Sequence, residues 1–436
     1  MNILVLPNDI GGGFGHISRC LSLAHEASLR GHQCSLVFTK SKFEEKINGK
    51  FRIFYSQITP TWKHVVQKLR KKIPNPFPMK YPIFIRISGL DYQVIRDGLV
   101  NEAIVIKAIS EYMMIVKQCK PDVIVGDTNL LAWILAKKTD IPVVQIVQSV
   151  YHPVNGKLIW WESGNGGQVQ PKSSLLFNPI LEKMKIETIG RGEDLLRGDL
   201  YIIPSIPELE PVEEEEKTIF VGLLRNREPE DKIPPWINEL DNKQPVVYIT
   251  IGGGAGFVGN KQFFSTIVEA FADKPLQIVV STSKKYDDIR FLNLSKNIKF
   301  FTWVPGDLLT SKADLVIFHG GYGTMMECIT SGKPTITIPF HSEQEGNGRR
   351  LEQLGCGRVL KLSVEDYKEI RAKWKYGTYS FLAQFRYDLT PKDLIDEVYE
   401  VLLNKKYLSN AQNLQAKMKQ YHGAEEVLDL IEKRWA

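Results

Sequence analysis

The chain has 436 residues, 43% of them apolar, which suffices for two or three domains with full cores and excludes a disordered protein. Its five cysteines are scattered and odd in number, so neither a disulfide framework nor a zinc site is expected. Met1 leads directly into a strand-like segment, and no apolar run is long enough to span a bilayer. These features predict a protein of the reducing cytoplasm.

The net charge of +6 is unevenly distributed along the chain. Between Lys46 and Leu90 there are ten lysines and arginines and no Asp or Glu. Because this basic stretch is broken by prolines and contains aromatic residues, it suits an anionic membrane surface, an anionic acceptor or a merely solvated loop. Nucleic acid is not expected as a partner, since no recognition motif accompanies the charge.

The first forty residues predict a strand, a glycine-rich loop, a helix and a second strand. The strands are expected at Ile3 to Leu6 and Leu36 to Phe38, and apolar residues between them recur at helical spacing up to Gly31. This βαβ unit predicts a doubly wound α/β sheet. A dinucleotide-binding enzyme is disfavoured, because His16 stands where its motif requires glycine or alanine.

Asp127 ends a predicted strand that runs from Pro121. Open α/β sheets place their chemistry at the carboxyl ends of such strands, so Asp127 is a candidate functional residue. Its alternative role is to cap the helix predicted at Leu130 to Ala136. Further along, the segment Ser149 to Gln170 is rich in aromatic residues, which either contact an acceptor or pack into the fold.

The domain boundary is expected between Pro204 and Asn242, nearest Leu224. Asp199 to Ile203 is predicted to be the last strand of the first domain, and prolines and an acidic run follow it. The prediction is therefore a first domain at 1–224, a second at 225–420 and a terminal helix at 421–436. From Leu351 onwards the pattern is mainly helical.

The second domain repeats the opening of the first. Pro245 to Ile251 predicts a strand, and the glycine loop Gly252 to Gly256 precedes a helix. Two halves that each begin with strand, glycine loop and helix predict two facing Rossmann-like domains with a cleft between them.

A third glycine turn lies between the strand predicted at Asp314 to Phe318 and the helix that begins near Thr324. Unpaired backbone N–H groups and the positive end of the helix dipole can hold a diphosphate there. Thr324 is expected to be the N-cap of the helix and to donate its hydroxyl to the anion.

The residues from His319 to Glu327 read H-G-G-x-G-T-x-x-E, and Gly332 to Asn347 read G-K-P-x-x-x-x-P-x-x-x-E-Q-x-x-N. This pattern resembles the donor-site signature of GT-B glycosyltransferases of the UDP-glycosyltransferase and MurG-like group. The resemblance implies a nucleotide sugar as the donor, with no cofactor and no metal. The residues it implies for the donor site are Gly253, Gly254, Trp303, Val304, His319, Gly320, Gly321, Gly323, Thr324, Glu327, Glu343 and Gln344.

Each implied donor contact has a chemical reason. His319 and the glycine-loop amides donate to the diphosphate, and Glu327 accepts from the ribose hydroxyls. Glu343 and Gln344 form hydrogen bonds with the hydroxyls of the donor sugar. Trp303 would stack on the nucleobase, unless it is a core tryptophan. Gly306 stands where plant members of the group have glutamine, so the preference for uridine over thymidine is open.

The segment Gly12 to His32 is similar to the first glycine loop and helix of the same group, where a histidine faces the acceptor. A histidine at a helix start tends to be neutral and can accept a proton, so His16 is the candidate base. In plant-type members of the group an Asp at the position of Asp127 partners this histidine, so the resemblance implies that Asp127 orients His16. The alternative is a histidine that only caps the turn. The candidate acceptor contacts are Gly13, Phe14, Trp160 and Trp161.

The resemblance implies an inverting, metal-independent transfer of a hexosyl group from a UDP-sugar to an acceptor hydroxyl. The basic stretch favours a lipid-linked or membrane-associated acceptor, with the protein at the inner face of the membrane, but a soluble natural product remains an alternative. Two other functions share the fold: a non-hydrolysing UDP-sugar epimerase and a catalytically silent donor-binding activator of another transferase.

Overall fold

The structure is a computed structural model. It describes residues 1–9, 14–39, 51–56, 82–87, 89–154, 168–213, 216–225, 234–240, 243–252, 260–282 and 295–436.

The first half of the chain forms a parallel sheet, as its strand–helix alternation predicts. The strands described in this half are β1 (Asn2–Pro7), β2 (Gln33–Thr39), β3 (Arg52–Ser56), β4 (Phe84–Arg86), β5 (Val123–Asp127), β6 (Val143–Ile146), β7 (Leu200–Ile203) and β8 (Thr218–Phe220). All except β4 belong to one sheet, in the order β3-β2-β1-β5-β6-β7-β8. The central strands are apolar and buried on both faces, because helices cover both sides of a parallel sheet.

The helices that cover this sheet are α1 (Phe14–Leu29), α2 (Leu90–Arg96), α3 (Glu102–Cys119), α4 (Ala132–Thr139) and α5 (Ser174–Lys183). One prediction is wrong here, because β7 is not the last strand of the sheet. The short strand β8 pairs with it in parallel, from Tyr201 opposite Thr218 to Ile203 opposite Phe220. It was missed because three residues directly after an acidic run carry little periodicity.

The second half contains a second parallel sheet. Its strands are β9 (Val246–Thr250), β10 (Gln277–Ser281), β11 (Ile298–Phe301), β12 (Leu315–Phe318), β13 (Thr335–Thr337) and β14 (Gly357–Val359). They lie in the order β11-β10-β9-β12-β13-β14. The chain therefore adds β10 and β11 on one side of β9 and β12 to β14 on the other. The helices of this half are α6 (Asn260–Phe271), α7 (Gly306–Lys312), α8 (Tyr322–Thr330), α9 (Ser342–Gln353), α10 (Pro391–Leu403), α11 (Lys405–Met418) and α12 (Ala424–Trp435).

A small antiparallel sheet joins the two halves and corrects the mainly helical prediction beyond Leu351. A hairpin of β15 (Lys368–Trp374) and β16 (Gly377–Gln384) adds to β4 of the first half. The Tyr376 hydroxyl at its turn donates to Glu102 at 3.3 Å. The missed signal was the polar–apolar alternation of β15, which has the period of a strand.

The last helix, α12, packs on α1 at the first sheet. Val427, Leu428 and Ile431 are buried in one cluster with residues of β1 and α1. At the rim, Arg30 donates to Asp429 at 2.5 Å, and Nε2 of His32 lies 2.6 Å from Glu432. Apolar burial supplies most of the stabilisation at this contact, since exposed ion pairs contribute little.

Leu428→Ala should therefore destabilise the protein by about 2–5 kcal/mol, the usual cost of removing a buried leucine side chain. Leu428 is 1% exposed, whereas Leu403 on α10 is 77% exposed. Urea unfolding followed by tryptophan fluorescence measures the change. Leu403→Ala is the control, and it should shift stability by less than about 0.5 kcal/mol. Equal effects of the two substitutions would contradict the packing of α12 on α1.

No helix within the described ranges is long and apolar enough to cross a membrane.

Candidate active site

His16 and Asp127 lie together at the carboxyl edge of the first sheet. Asp127 ends β5 and is paired with Pro7, the last residue of the neighbouring strand β1. The glycine-rich segment after β1 precedes α1, which carries His16 in its first turn. As a result, Nδ1 of His16 is 2.9 Å from Oδ1 of Asp127, although 111 residues separate them.

The alternative roles of these two residues do not apply. Asp127 is fully buried and does not cap a helix, because Leu131 is the N-cap of α4. The capping contact nearby belongs to Asn129, whose side-chain oxygen accepts from the Leu131 amide at 3.0 Å. His16 lies within α1 and is directed at the carboxylate, with its side chain 30% exposed.

Arg19 completes this cluster and was not identified from the sequence. It lies one turn after His16 on α1, and its Nε and Nη2 atoms donate to the two carboxylate oxygens of Asp127 at 2.8 Å each. Burial alone would raise the pKa of Asp127, but the charges of Arg19 and His16 lower it to about 2. The carboxylate is therefore ionised throughout the physiological range.

Asp9 is a second residue that the sequence argument missed. It follows β1 and is buried, and this burial raises the pKa of its carboxyl to about 6 although Thr39 and His16 favour the charged form. A carboxyl group that titrates near neutrality at the carboxyl end of β1 is typical of a functional cleft. The signal available in the sequence was an acid directly after the first predicted strand.

The predicted diphosphate loop connects β12 to α8 in the second domain. Gly320 has φ +86°, and a Cβ atom there would lie 2.4 Å from the backbone oxygen of Gln344, so only glycine fits. Asn347 donates to the Gly320 carbonyl at 2.8 Å and holds the loop against α9. The amino terminus of α8 is thus kept in a fixed position against its neighbour.

The cap of α8 corrects one prediction. Gly321 is the N-cap, with extended backbone and no side-chain capping bond, so Thr324 lies in the first turn of the helix instead. With no side chain occupying the first amides, the helix end has the form of an anion site. Thr324 and the exposed Gly323 lie in this first turn.

His319 is packed between backbone segments at this loop. Cβ atoms at Gly252 and Gly321 would lie 2.3 Å from its ring, so a larger residue at either position would displace the ring. Burial and the neighbouring His341 lower the pKa of His319 to about 4. The ring is therefore neutral near pH 7, so it would meet an anion without a positive charge, and the Thr250 backbone forms a hydrogen bond with it.

Glu327 lies on α8, and Trp303 lies between β11 and α7. Glu327 is paired with Arg225 at 3.2 Å, and Arg225 also lies 3.6 Å from Asp307. Trp303 is 55% exposed, so it is not a core tryptophan, whereas Val304 beside it is buried. An exposed aromatic face is what stacking on a nucleobase requires.

Gln344 and Glu343 lie in the first turn of α9. The Gln344 side-chain oxygen accepts from the Phe340 amide at 2.9 Å, which leaves its NH2 group to donate to a ligand. Glu343 faces the first domain, where its charge acts on Arg96 and Tyr151. The pair therefore stands where the two domains approach each other.

Several predicted contacts lie outside the described residues. These are the acceptor residues Gly13, Trp160 and Trp161, the side chain of Phe14, and the donor-loop residues Gly253 and Gly254. Most of the basic stretch from Lys46 to Leu90 is also outside them.

The pH dependence of nucleotide binding should report the protonation of the Glu327 carboxylate. Burial raises the pKa of Glu327, with Arg225 opposing the rise. Because the ionised form accepts from ribose hydroxyls, UDP affinity should fall as pH drops through this raised pKa, above the ordinary glutamate range. Calorimetric titrations at several pH values measure the fall. Glu327→Gln is the control for titration of UDP itself, and a wild-type profile identical to that of the variant would contradict the role of Glu327.

Comparison with known proteins agrees with this arrangement. Residues 246–375 match the glycosyltransferase family 28 C-terminal domain. A PGL/p-HBAD biosynthesis glycosyltransferase of Mycobacterium tuberculosis is 26% identical over 319 residues, 66% of this chain and 70% of the relative. The NDP-glycosyltransferase YjiC of Bacillus subtilis is 23% identical over 428 residues, 96% and 94% of the two chains.

Solved structures match both domains at once. The calicheamicin glycosyltransferase CalG4 superposes with a TM-score of 0.70 at 18% identity, over 99% of this chain and 98% of its own. By its fold, its family match and its relatives, the chain is a GT-B glycosyltransferase. The spinosyn rhamnosyltransferase SpnG complexed with thymidine diphosphate gives a TM-score of 0.64 at 17% identity, over 99% and 100% of the two chains. The predicted GT-B fold and glycosyltransferase class are thus confirmed.

Proposed function

We propose that this GT-B glycosyltransferase moves a hexosyl group from a UDP-sugar to an acceptor hydroxyl, with inversion at the anomeric carbon and without a metal ion. The observation that carries the proposal is the pairing of His16 with Asp127 at 2.9 Å. It supplies an oriented base on the acceptor side of a GT-B cleft, whose other side carries the glycine loop at α8.

In this mechanism the base acts from the side opposite the diphosphate. With Nδ1–H donated to Asp127, Nε2 of His16 has a lone pair for the acceptor proton. The acceptor oxygen then attacks the anomeric carbon while the bond to the diphosphate oxygen breaks. Asp127 stays ionised and stabilises the imidazolium that forms, as the acid does in a catalytic triad.

The leaving diphosphate would be held by neutral donors. The first amides of α8, the Thr324 hydroxyl and the neutral His319 ring can each donate to phosphate oxygens. Because these groups are fixed by packing before the reaction, they stabilise the departing charge without reorganisation. This donor set is the basis for proposing transfer without a metal.

The nucleoside is proposed to be uridine, with thymidine as the second candidate. Glu327 can accept from both hydroxyls of a ribose, and thymidine diphosphate sugars lack the 2′-hydroxyl. Thymidine is favoured by one observation, which is that SpnG binds thymidine diphosphate in the same fold. Competition between the two nucleotides distinguishes them.

The acceptor is proposed to present its hydroxyl on an apolar body, either a lipid-linked molecule or an aglycone. The basic stretch from Lys46 to Leu90 supports the lipid, since each cation near an anionic membrane contributes about 1 kcal/mol. SpnG has been seen with spinosyn aglycone, which supports a soluble natural product. Association with the inner face of the membrane stays a prediction.

The deciding experiment is a transfer assay in EDTA with UDP-glucose or TDP-glucose and two acceptor sets, phenols in solution and glycolipids in anionic vesicles. We expect release of the nucleoside diphosphate and formation of a β-linked product from the α-linked donor. The anomeric proton coupling gives the configuration of the product. An α-linked product, or activity lost with EDTA and restored by Mg²⁺, would contradict the mechanism. Epimerised donor without UDP release would favour the epimerase.

A further inference from the structure

Arg19 occupies an unusual place between the candidate base and the donor loop. Its side chain is 7% exposed and binds both oxygens of Asp127 through Nε and Nη2. The same Nη2 atom lies 2.8 Å from Nδ1 of His16. One guanidinium nitrogen therefore contacts both members of the pair that would take the acceptor proton.

These contacts set up a competition for a single ring nitrogen. Nδ1 of His16 is 2.9 Å from a carboxylate oxygen of Asp127 and 2.8 Å from a nitrogen of Arg19, which can only donate. A neutral imidazole either donates from Nδ1 to Asp127 or accepts there from Arg19. In the first tautomer Nε2 has the lone pair that a base needs; in the second Nε2 carries the proton and cannot act as a base.

The other side of Arg19 faces the donor loop of the second domain. Its guanidinium carbon lies 5.6 Å from the centre of the Tyr322 ring, within the range of a cation–π contact. Tyr322 is the first residue of α8, directly after the N-cap Gly321. A diphosphate bound at the amino terminus of α8 would therefore change the electrostatic surroundings of the guanidinium without any movement of the helix.

The Tyr322 ring is itself tied to the segment between the domains. Its hydroxyl contacts the Pro204 carbonyl at 3.0 Å and the carboxylate of Glu210. Glu210 in turn accepts from the Ser149 amide at 2.6 Å. Arg19 and Tyr322 thus connect the base to the donor helix, and Glu210 extends this connection to the segment between the domains.

We propose that Arg19 is a positioning residue that competes with Asp127 for Nδ1 of His16, and that Tyr322 makes this competition depend on the donor loop. Nucleotide binding at α8 shifts Arg19 away from Nδ1 and leaves His16 in the tautomer that can accept a proton. The inference rests on the proposed function, because it assigns the nucleotide to α8.

The test is the tautomer of His16, read from the nitrogen NMR signals of histidine-labelled full-length protein with and without UDP. His16→Gln identifies the signals. In the wild type, UDP should increase the form with hydrogen on Nδ1. In Arg19→Gln that form should already dominate, and UDP should change nothing. Identical tautomers in the wild type and the variant, each measured without UDP, would overturn the proposal.

Arg19→Lys and two Tyr322 variants keep the test decisive if Arg19→Gln does not fold. Lysine retains the charge but lacks the planar fork, so it should also weaken the response to UDP. Tyr322→Leu removes the ring and should abolish the response, whereas Tyr322→Phe keeps the ring and should retain it. A response in Tyr322→Leu equal to that of the wild type would overturn the link to the donor loop.

Calorimetry with UDP on the same samples distinguishes a failure of the proposed donor site from a failure of the inference about Arg19. If the wild type does not bind UDP, the proposed donor site is wrong. The His16 tautomers of the wild type and the Arg19 variants, measured without UDP, still test whether Arg19 competes with Asp127 for Nδ1. If the wild type binds UDP and its tautomer does not respond, the inference about Arg19 is wrong and the proposed function stands.

Discussion

His16→Ala should slow glycosyl transfer by orders of magnitude and leave nucleotide binding intact. General-base catalysis by a positioned side chain contributes about 10²–10⁴-fold, so kcat should fall by that factor. UDP affinity should stay within about twofold, because His16 lies on the first domain whereas the proposed diphosphate loop lies on the second. Initial rates with a phenol or glycolipid acceptor, combined with calorimetry, measure both quantities.

The matched control is His25→Ala on the same helix. His25 packs edge-on against Phe51, with ring centres 4.8 Å apart, and has no place in the proposed mechanism. Its replacement should leave kcat within about twofold. If His16→Ala retained wild-type turnover, the catalytic assignment would fail. A silent donor-binding activator would then become the better account, provided that UDP still bound.

Asp127→Asn should lose activity and stability together. The substitution removes the acceptor that orients His16, and the corresponding change in a serine-protease triad costs about 10⁴ in kcat. It also leaves the buried Arg19 guanidinium without a countercharge, and breaking a buried ion pair in this way costs about 3–5 kcal/mol. Initial rates and urea unfolding at pH 7 measure the two losses.

The stability loss should depend on pH with a definite sign. The folded-state pKa of Asp127 is lowered from 3.8 to about 2, so the ionised carboxylate stabilises the fold above pH 4. This contribution disappears as pH falls towards 2, and the difference between the wild type and Asp127→Asn should shrink over the same window. Asp122→Asn is the control, because Asp122 lies exposed near the opposite end of β5, where it accepts from the Asn2 amide. A constant difference down to pH 2 would contradict the pairing.

Sequence reasoning predicted the parts of this site that depend on local pattern. The strands before His16, Asp127 and Gly320 are short apolar runs, and the carboxyl ends of parallel strands meet at one edge of a sheet. That rule placed Asp127 at the functional edge of the sheet, and the resemblance to the glycosyltransferases supplied its pairing with His16. The same reasoning confined the diphosphate loop to the turn between β12 and α8.

What the sequence did not predict depends on contacts between distant segments. In the sequence, Arg19 has the pattern of an ordinary charged residue on a helix. Its role depends on Asp127 and Tyr322, which are distant in the sequence and contact it only in the folded chain. Thr324 seemed the natural cap because its hydroxyl suits that role, but Gly321 begins the helix three residues earlier. The hairpin at β15 and β16 was missed because helical and strand periods are hard to separate in a polar, charged segment.

The central claim is that the amino terminus of α8 and Glu327 hold a nucleoside diphosphate. It is tested most directly by calorimetry of UDP, TDP and GDP in EDTA, on the wild type and on Thr324→Ala combined with Glu327→Ala. Ser331→Ala, at the opposite end of the same helix, is the control. The account predicts binding of UDP without metal, weaker binding of GDP, and loss of UDP binding in the double variant alone. No binding of any of the three nucleotides by the wild type, or equal binding by the double variant, would contradict it.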